Sequence, residues 1–348
     1  MRAVLLTGHG GPEKLEYRED VPVPQPEAGE VLVEVGAAGV NNTDIWTREG
    51  AYGSEEDPQS TSGWRREPME FPRIQGLDIV GHIERVGENV PESRIGERVL
   101  VDFVLYSGEG EEGLVGAGII GSERDGGFAE YVAVPAENAH QANSSLDDEE
   151  LATFPTAYVT ALRMLNRARV KEDETVFVTG ASGGVSSALL QLAKVRRARV
   201  IALVGPGKEA RTRSLGAEAT VTRGTTDLTD AISEAAGESP VDVVADVVGG
   251  GIFPDLLNAL RPLGRYVTAG AIAGPVVQLD LRTLYLKHLE LIGSTMGTRE
   301  EFAELVSLLE EDRLEPLLAG TYPLSEVRCA QEDFQRKNFF GKLVLVPR

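Results

Sequence analysis

Residues 175–187 read TVFVTGASGGVSS: a short apolar run, a glycine-rich turn, then the start of SALLQLAK (187–194), whose apolar residues fall at helical spacing. That order is what a dinucleotide-binding fold needs at its first strand, turn and helix. Gly180, Gly183 and Gly184, with Ser182 and Val185 between and after them, let backbone N–H groups come close to a pyrophosphate. The positive end of the following helix would hold the anion. A glycine cluster by itself is a weak pattern. Here it sits between a strand and a helix and opens a long βα alternation, which strengthens it.

Outward from that turn, the period of the pattern changes near residue 150. After it, RVIALV (199–204), AEATVT (217–222), VDVVADVVG (241–249) and RYVTAG (265–270) read as strands. Helical runs such as ALLQLAKV, TDAISEAAG and FPDLLNALR lie between them. Such an alternation means right-handed βαβ units and a doubly wound parallel sheet. Before it, EVLVEVGAAGV (30–40), DIVGHIERVG (78–87), ERVLVDFVL (97–105) and FAEYVAVP (128–135) are Val-rich, alternating and separated by Gly, Pro and Asn. They read as short antiparallel strands of a barrel or sandwich. From about 294 the chain turns helical (REEFAELVSLLEED) and ends in a strand, KLVLVP, expected to rejoin the first domain. The expected organisation is a first domain over 1–150, completed by 294–348, and a nucleotide domain over 151–293. Segments 53–70 and 106–127 read as long loops, the first suited to a lid.

The 348 residues carry a formal net charge of −21, with 55 acids against 34 bases, of which seven are Lys. Such a surface repels nucleic acid phosphates and anionic headgroups. No stretch approaches the ~18 unbroken apolar residues of a bilayer span, and the N-terminus lacks a secretory pattern. A single cysteine, Cys329, excludes an internal disulfide and a cysteine-rich metal site. A soluble cytoplasmic protein is the expectation.

An ordered set of segments runs through the whole chain: GVNNTDIWTREGAY (39–52), GLDIVGHIERVG (76–87), GERV (96–99), GGFAEYVAVP (126–135), FPTAYVTAL (154–162), the glycine turn, VDVVADVVGG (241–250), GRYVTAG (264–270), GSTMGT (293–298) and FGKLVLVP (340–347). Together they resemble the medium-chain dehydrogenase/reductase superfamily, and within it the zinc-independent quinone oxidoreductase branch. The resemblance implies an α/β fold with two domains: a GroES-like, partly open β-barrel and a Rossmann parallel-sheet domain.

Zinc relatives hold their catalytic metal with three protein ligands and an open position. By resemblance, the three ligand positions fall on Asn41, Leu77 and Thr156. An amide, an isobutyl group and a neutral hydroxyl make no zinc site. The segment where a four-cysteine structural lobe would fall, 106–127, holds no cysteine. The four histidines, His9, His82, His140 and His288, show no ligand spacing, and His82 reads as a strand residue. The expectation is therefore no metal.

Without a Lewis acid, charge developing on a carbonyl oxygen must be met by hydrogen bonds. Reduction of a C=C bond conjugated to a carbonyl suits such a site. The candidate groups share one segment. Asn41 stands at the former metal position, with its amide expected to face substrate. Thr43 stands at the hydroxyl position that relays protons in zinc relatives. Tyr52 matches the tyrosine that closes an R-x-G-x-Y run in quinone and enoyl reductases. The ordinary readings are a turn residue, a strand residue and a packed aromatic. Asp44 reads as a structural acceptor.

Cofactor identity is read after the second strand of the alternation, where NAD-selecting folds place Asp or Glu. This chain runs IALVGPGKEARTR (201–213): no acid ends the strand, Gly205 leaves room, and Lys208 follows. Arg223 aligns with a phosphate contact of similar reductases, while Arg211 and Arg213 read equally well as surface decoration. Cations without a carboxylate favour a 2′-phosphate, hence NADPH. The resemblance adds Thr156 and Thr160, Val248, Gly270 and Ala271, and Ser294, Thr295 and Met296 as cofactor contacts. It also brings Phe339, Gly341 and Lys342 toward the phosphates. Ser186 departs from the family loop, which ends G-G-V-G; the expected cost is a modest loss of affinity with binding intact.

Two other readings stay open: an NAD(P)-dependent alcohol dehydrogenase or aldehyde reductase without zinc, and a non-catalytic NADPH- or RNA-binding relative, the latter opposed by the acidic surface. The expected partners are a small carbonyl or quinone substrate and a second copy of the chain, with no nucleic acid and no membrane. The segment VVQLDL (276–281) is the candidate sheet edge for the dimer. Arg65 and Arg66 are candidates to meet an anionic substrate such as an acyl thioester.

Overall fold

The computed structural model describes residues 1–53 and 60–347. It divides into two compact units. Unit one comprises 1–156, 298–312 and 316 onward; unit two comprises 157–297 with 313–315. The boundary falls inside one helix, Pro155–Arg167.

Unit two is built on a parallel sheet of six strands among the described residues: β1 (Thr175–Val178), β2 (Arg199–Val204), β3 (Ala219–Thr222), β4 (Val241–Asp246), β5 (Leu260–Thr268) and β6 (Glu290–Gly293). Their order is β3-β2-β1-β4-β5-β6, so the winding reverses between β1 and β4. Residues of β1 and β4 are buried throughout, as a sheet covered by helices on both faces demands. Phe177, Ile201 and Val244 pack with Ile232, Leu256 and Leu257 from the helices Leu228–Ala236 and Phe253–Ala259. The expected doubly wound sheet is present.

The edge expected at VVQLDL is not a strand. Residues 276–280 carry no regular structure, and a helix starts at Leu281 because the Asp280 side chain accepts the Arg282 N–H and caps it. Alternating apolar residues read as a strand there, but a helix cap overrode them. Among the described residues the two edges of this sheet are β3 and β6.

In unit one the strand Glu30–Gly39 is central: it pairs antiparallel with Asp78–Val86, Tyr131–Pro135 and Lys342–Val346. Among the described residues these belong to a seven-stranded sheet, accompanied by a three-stranded and a two-stranded one. The last, Val104–Leu105 against Gly118–Ile119, gives structure to the segment expected to be only a loop. The C-terminal strand does rejoin the first unit. His82 lies in the strand Asp78–Val86 and is exposed. No described helix is long and apolar enough to cross a membrane.

The helix Asn42–Glu49 begins after Asn41 and ends at Gly50, whose φ of 66° is the left-handed conformation that glycine adopts without penalty. Asp44, fully buried, accepts the backbone N–H of Asn41 at 2.7 Å and of Gly76 at 3.3 Å, so it is a structural acceptor. Burial pushes its carboxyl up to about 7, against the hydrogen bond from Asn41 and with Asp78 adding to the rise. An unfolded Asp ionises near pH 4, so folding takes up a proton between about pH 4 and 7. Stability from Asp44 is then full below that window and is lost as pH rises through it. The melting-temperature advantage of wild type over Asp44→Asn should shrink between pH 5 and pH 8 in calorimetry. A difference that stays constant would show that Asp44 does not titrate there.

Candidate active site and dinucleotide edge

In unit one, three sequence-distant residues meet on the Asp78 carboxylate. Lys342 Nζ lies 2.7 Å from Oδ2, and the Asn41 amide donates to the same oxygen at 3.0 Å. Thr156 donates to Oδ1 through both its backbone N–H, at 2.7 Å, and its hydroxyl. Lys342 also donates to Asn41 Oδ1, and Asn41 Nδ2 reaches the Gly39 carbonyl. The ion pair is buried, with side-chain exposures of 4% and 0%. Strand register explains the meeting: Val344 pairs with Gly39, which carries Lys342 opposite position 41.

This geometry corrects two expectations. The Asn41 amide does not face a substrate: its oxygen and nitrogen both bond inside the protein, and the residue is 6% exposed. Lys342 does not reach toward a phosphate, because the buried Asp78 carboxylate claims its ammonium. Gly341 precedes it with a φ of 100°, and a Cβ there would lie 2.1 Å from the Leu317 carbonyl oxygen, so its glycine serves a close backbone approach. Phe339 packs on Phe334, ring centroids 5.8 Å apart. At the positions where zinc relatives carry ligands, Leu77 is buried while Asn41 and Thr156 turn onto Asp78. That donor set does not suit zinc, and the positive charge beside it is an ammonium. Asp78 was missed in the sequence. A lone acid in GLDIVG and a lone base in GKLVLV, each in an apolar strand, were the available signal.

Thr43 and Tyr52 are brought together. Thr43 sits in the first turn of the helix Asn42–Glu49 and shares a side-chain hydrogen bond with the Tyr52 phenol. Burial pushes that phenol well above its ordinary value, so it stays protonated and can donate. The Tyr52 ring meets Trp46 and Trp64 edge-on, at 5.7 and 5.2 Å. The Arg65 guanidinium donates to the Gly116 carbonyl at 2.7 and 2.9 Å, and the Arg65 backbone N–H donates to the Glu123 carboxylate, which fastens the residue to the neighbouring segment. Part of the expected lid, 54–59, lies outside the described residues.

In unit two, the remaining predicted contacts follow the carboxyl ends of the six strands. Gly180, Ser182, Gly183, Gly184 and Val185 follow β1; Gly205 and Lys208 follow β2; Arg223 follows β3. Val248 follows β4, Gly270 and Ala271 follow β5, and Ser294, Thr295 and Met296 follow β6. In such folds ligands bind at this edge, where the winding reverses. Gly180 has a φ of 62°, and a Cβ there would lie 3.1 Å from Val248, so β1 and β4 close on each other at the turn. Gly183 caps the helix Gly184–Val195. Thr160 lies one turn past Thr156 on the helix Pro155–Arg167 and is 8% exposed.

Lys208 Nζ lies 3.3 Å from Ser182 Oγ. Its pKa is lowered by burial and then by the charge of Arg223. A Cβ on Gly205 would lie 3.8 Å from Arg223 Nη2. Two cations, a hydroxyl and open space therefore converge beyond β2, and no acid ends that strand. Arg211 instead pairs with Glu315, and Arg213 donates to Thr220. Asp246, at the end of β4, accepts from Tyr266, Thr179 and the N–H groups of Val248 and Gly249, which fixes the turn at the reversal point.

Residues 27–144 match the family model of the alcohol dehydrogenase GroES-like domain, and 184–311 that of the zinc-binding dehydrogenase. A quinone oxidoreductase of Lama guanicoe is 31% identical over 99% of this chain and 97% of its own. An acryloyl-coenzyme A reductase of Metallosphaera sedula is 31% identical over 99% of both. A solved structure from Sinorhizobium meliloti 1021, provisionally designated an alcohol dehydrogenase, is 60% identical, with a TM-score of 0.97 over 100% of this chain and 97% of that one. With its GroES-like domain and its Rossmann sheet, the chain belongs to the medium-chain dehydrogenase/reductase superfamily of oxidoreductases.

Proposed function

We propose that this chain is a zinc-independent, NADPH-dependent cytoplasmic oxidoreductase that reduces a quinone or the C=C bond of an α,β-unsaturated carbonyl compound. One observation carries the cofactor reading: Lys208 and Arg223 converge with Ser182 and Gly205 where an NAD-selecting fold would place a carboxylate. A 2′-phosphate would be held there by charge-assisted hydrogen bonds. The names of the quinone oxidoreductase and acryloyl-coenzyme A reductase relatives support the substrate class.

The residues of unit two fit a dinucleotide: the Gly180 turn and the helix start at Gly184 for the pyrophosphate, the strand ends for its two halves. A reduced nicotinamide held by these residues would supply hydride chemistry to an electron-poor carbon of an acceptor. Within unit one, Tyr52, held protonated, would donate a hydrogen bond to a carbonyl oxygen of a substrate, with Thr43 orienting the phenol. The proton that completes the reduction comes from Tyr52 or from water. Asn41 contributes by position: it holds the Lys342 ammonium in place beside Asp78.

We also propose a homodimer through the free edge of β6, with no nucleic acid or membrane partner. Leu291 of that strand is 39% exposed, and an open edge bearing apolar residues invites a second strand. Light scattering should give twice the 37.4 kDa of one chain. A single-chain mass at every concentration would refute it.

Across a panel of quinones, enones, enoyl thioesters and aldehydes, kcat/KM should be highest for a quinone or enone, with NADPH preferred over NADH. Lys208→Met should cut the NADPH value about ten-fold or more and spare that for NADH. A wild-type preference for NADH, or for simple aldehydes, would overturn the reading. Tyr52→Phe should lower kcat about ten-fold or more if the phenol acts in the transition state. An unchanged rate would remove that role.

A further inference from the structure

The two stretches expected as long loops, 53–70 and 106–127, meet in unit one on the carboxylate of Glu123. Its Oε1 accepts the Arg65 backbone N–H and the Ser122 hydroxyl, both at 3.1 Å. Its Oε2 accepts the Ile119 N–H at 2.7 Å, which closes the turn that carries it. Ser122 Oγ in turn accepts the Trp64 backbone N–H at 3.2 Å, and Ser122 is 2% exposed. One acid therefore fixes the backbone at 64 and 65, directly and through its neighbour.

The other end of the same short stretch is tied to the Tyr52 turn. Ser62 bridges to Ala51, donates its N–H to the Gly50 carbonyl at 3.1 Å and its hydroxyl to the Gly53 carbonyl. Trp64 is thus held between two anchored ends, Ser62 beside Tyr52 and Arg65 on Glu123. Its ring meets the Tyr52 ring edge-on, at 5.2 Å and 74°, and Trp46 meets the same ring at 5.7 Å and 71°. Edge-on aromatic pairs are directional, so they set the orientation of a ring as well as its place. These are the two tryptophans of the chain. Glu123 also reaches the phenol through charge: burial is the main cause that keeps Tyr52 protonated, and the charges of Asp44 and Glu123 add to it.

We propose that Glu123 is a positioning residue for Tyr52: it clamps the backbone of Trp64, and the Trp64 ring orients the phenol. A phenol free to swing would lose the alignment that a developing oxyanion needs. The inference rests on the role given to Tyr52 above, and its test separates the two.

kcat and KM would be measured with NADPH and the best acceptor of the panel for wild type, Glu123→Ala, Tyr52→Phe and the double variant. Glu123→Ala should lower kcat about three- to ten-fold, the scale of a small loss of alignment, with KM for NADPH unchanged. In the Tyr52→Phe background it should cost nothing further, because the group it positions is gone. A loss of equal size in both backgrounds would make Glu123 a general structural residue and overturn the proposal. A wild-type kcat in Glu123→Ala would overturn it as well. Since both tryptophans flank Tyr52, the emission of the unliganded protein reports on the clamp without turnover. Glu123→Ala should shift that emission to longer wavelength as Trp64 loosens, and an unshifted spectrum counts against the clamp. Should Glu123→Ala fail to fold, Glu123→Gln takes its place. Its single amide oxygen can meet the Ile119 or the Arg65 N–H but not both, so kcat should fall about two- to five-fold, again only where Tyr52 is present. Tyr52→Phe that itself runs at the wild-type rate would sink the Tyr52 role, and this inference with it, whatever the Glu123 variants do.

Discussion

A carboxylate and an ammonium, both out of reach of water, tie four segments of unit one together. Asp78 and Lys342 each pay a desolvation cost that only their mutual attraction and a full set of hydrogen bonds offset. The set is complete on the acid: Lys342, Asn41 and Thr156 supply every contact described for it. Four segments are thereby fixed to one point: the entry to the helix Asn42–Glu49, the strand Asp78–Val86, the start of the helix Pro155–Arg167 and the strand Lys342–Val346. Thr43 and Tyr52 inherit their positions from the first of these. The placement of Asn41 and Thr156 thus depends on one buried pair.

Unit two solves a different problem with a different device. Its sheet presents six strand ends on one side, and the sequence places small or hydroxylated residues at nearly all of them. Where bulk or charge appears, as at Lys208 and Arg223, it appears with an opposing vacancy at Gly205. Asp246 spends its carboxylate on the turn after β4, so the reversal point is held rigid without help from a ligand.

Features encoded locally could be read from the chain. The Gly180 turn was legible because a φ of 62° selects glycine, and the parallel sheet because continuous apolar strands alternate with helical spacing. The missing acid after β2 was legible for the same reason: it lies at a fixed offset from a strand end. Asn41 was not. Its amide is turned inward by Lys342, 301 residues away, and no periodicity records that pairing. The run VVQLDL misled because alternation says only that one face is apolar. Asp280, a helix cap, decided the local structure there. The clamp at Glu123 depends on hydrogen bonds between two loops, which a motif comparison does not contain.

Unit one is discontinuous in the chain, and this bears on the order in which a nascent polypeptide can mature. The counter-ion of Asp78 is encoded 264 positions downstream. While the ribosome is still translating the middle of the message, the early strands hold an acid with no salt partner, and their central strand lacks one neighbour. The parallel-sheet unit, encoded almost entirely between those events, has all six strands available sooner. Vectorial synthesis therefore favours the later-encoded unit as the first to consolidate, inverting the usual N-to-C sequence of domain formation.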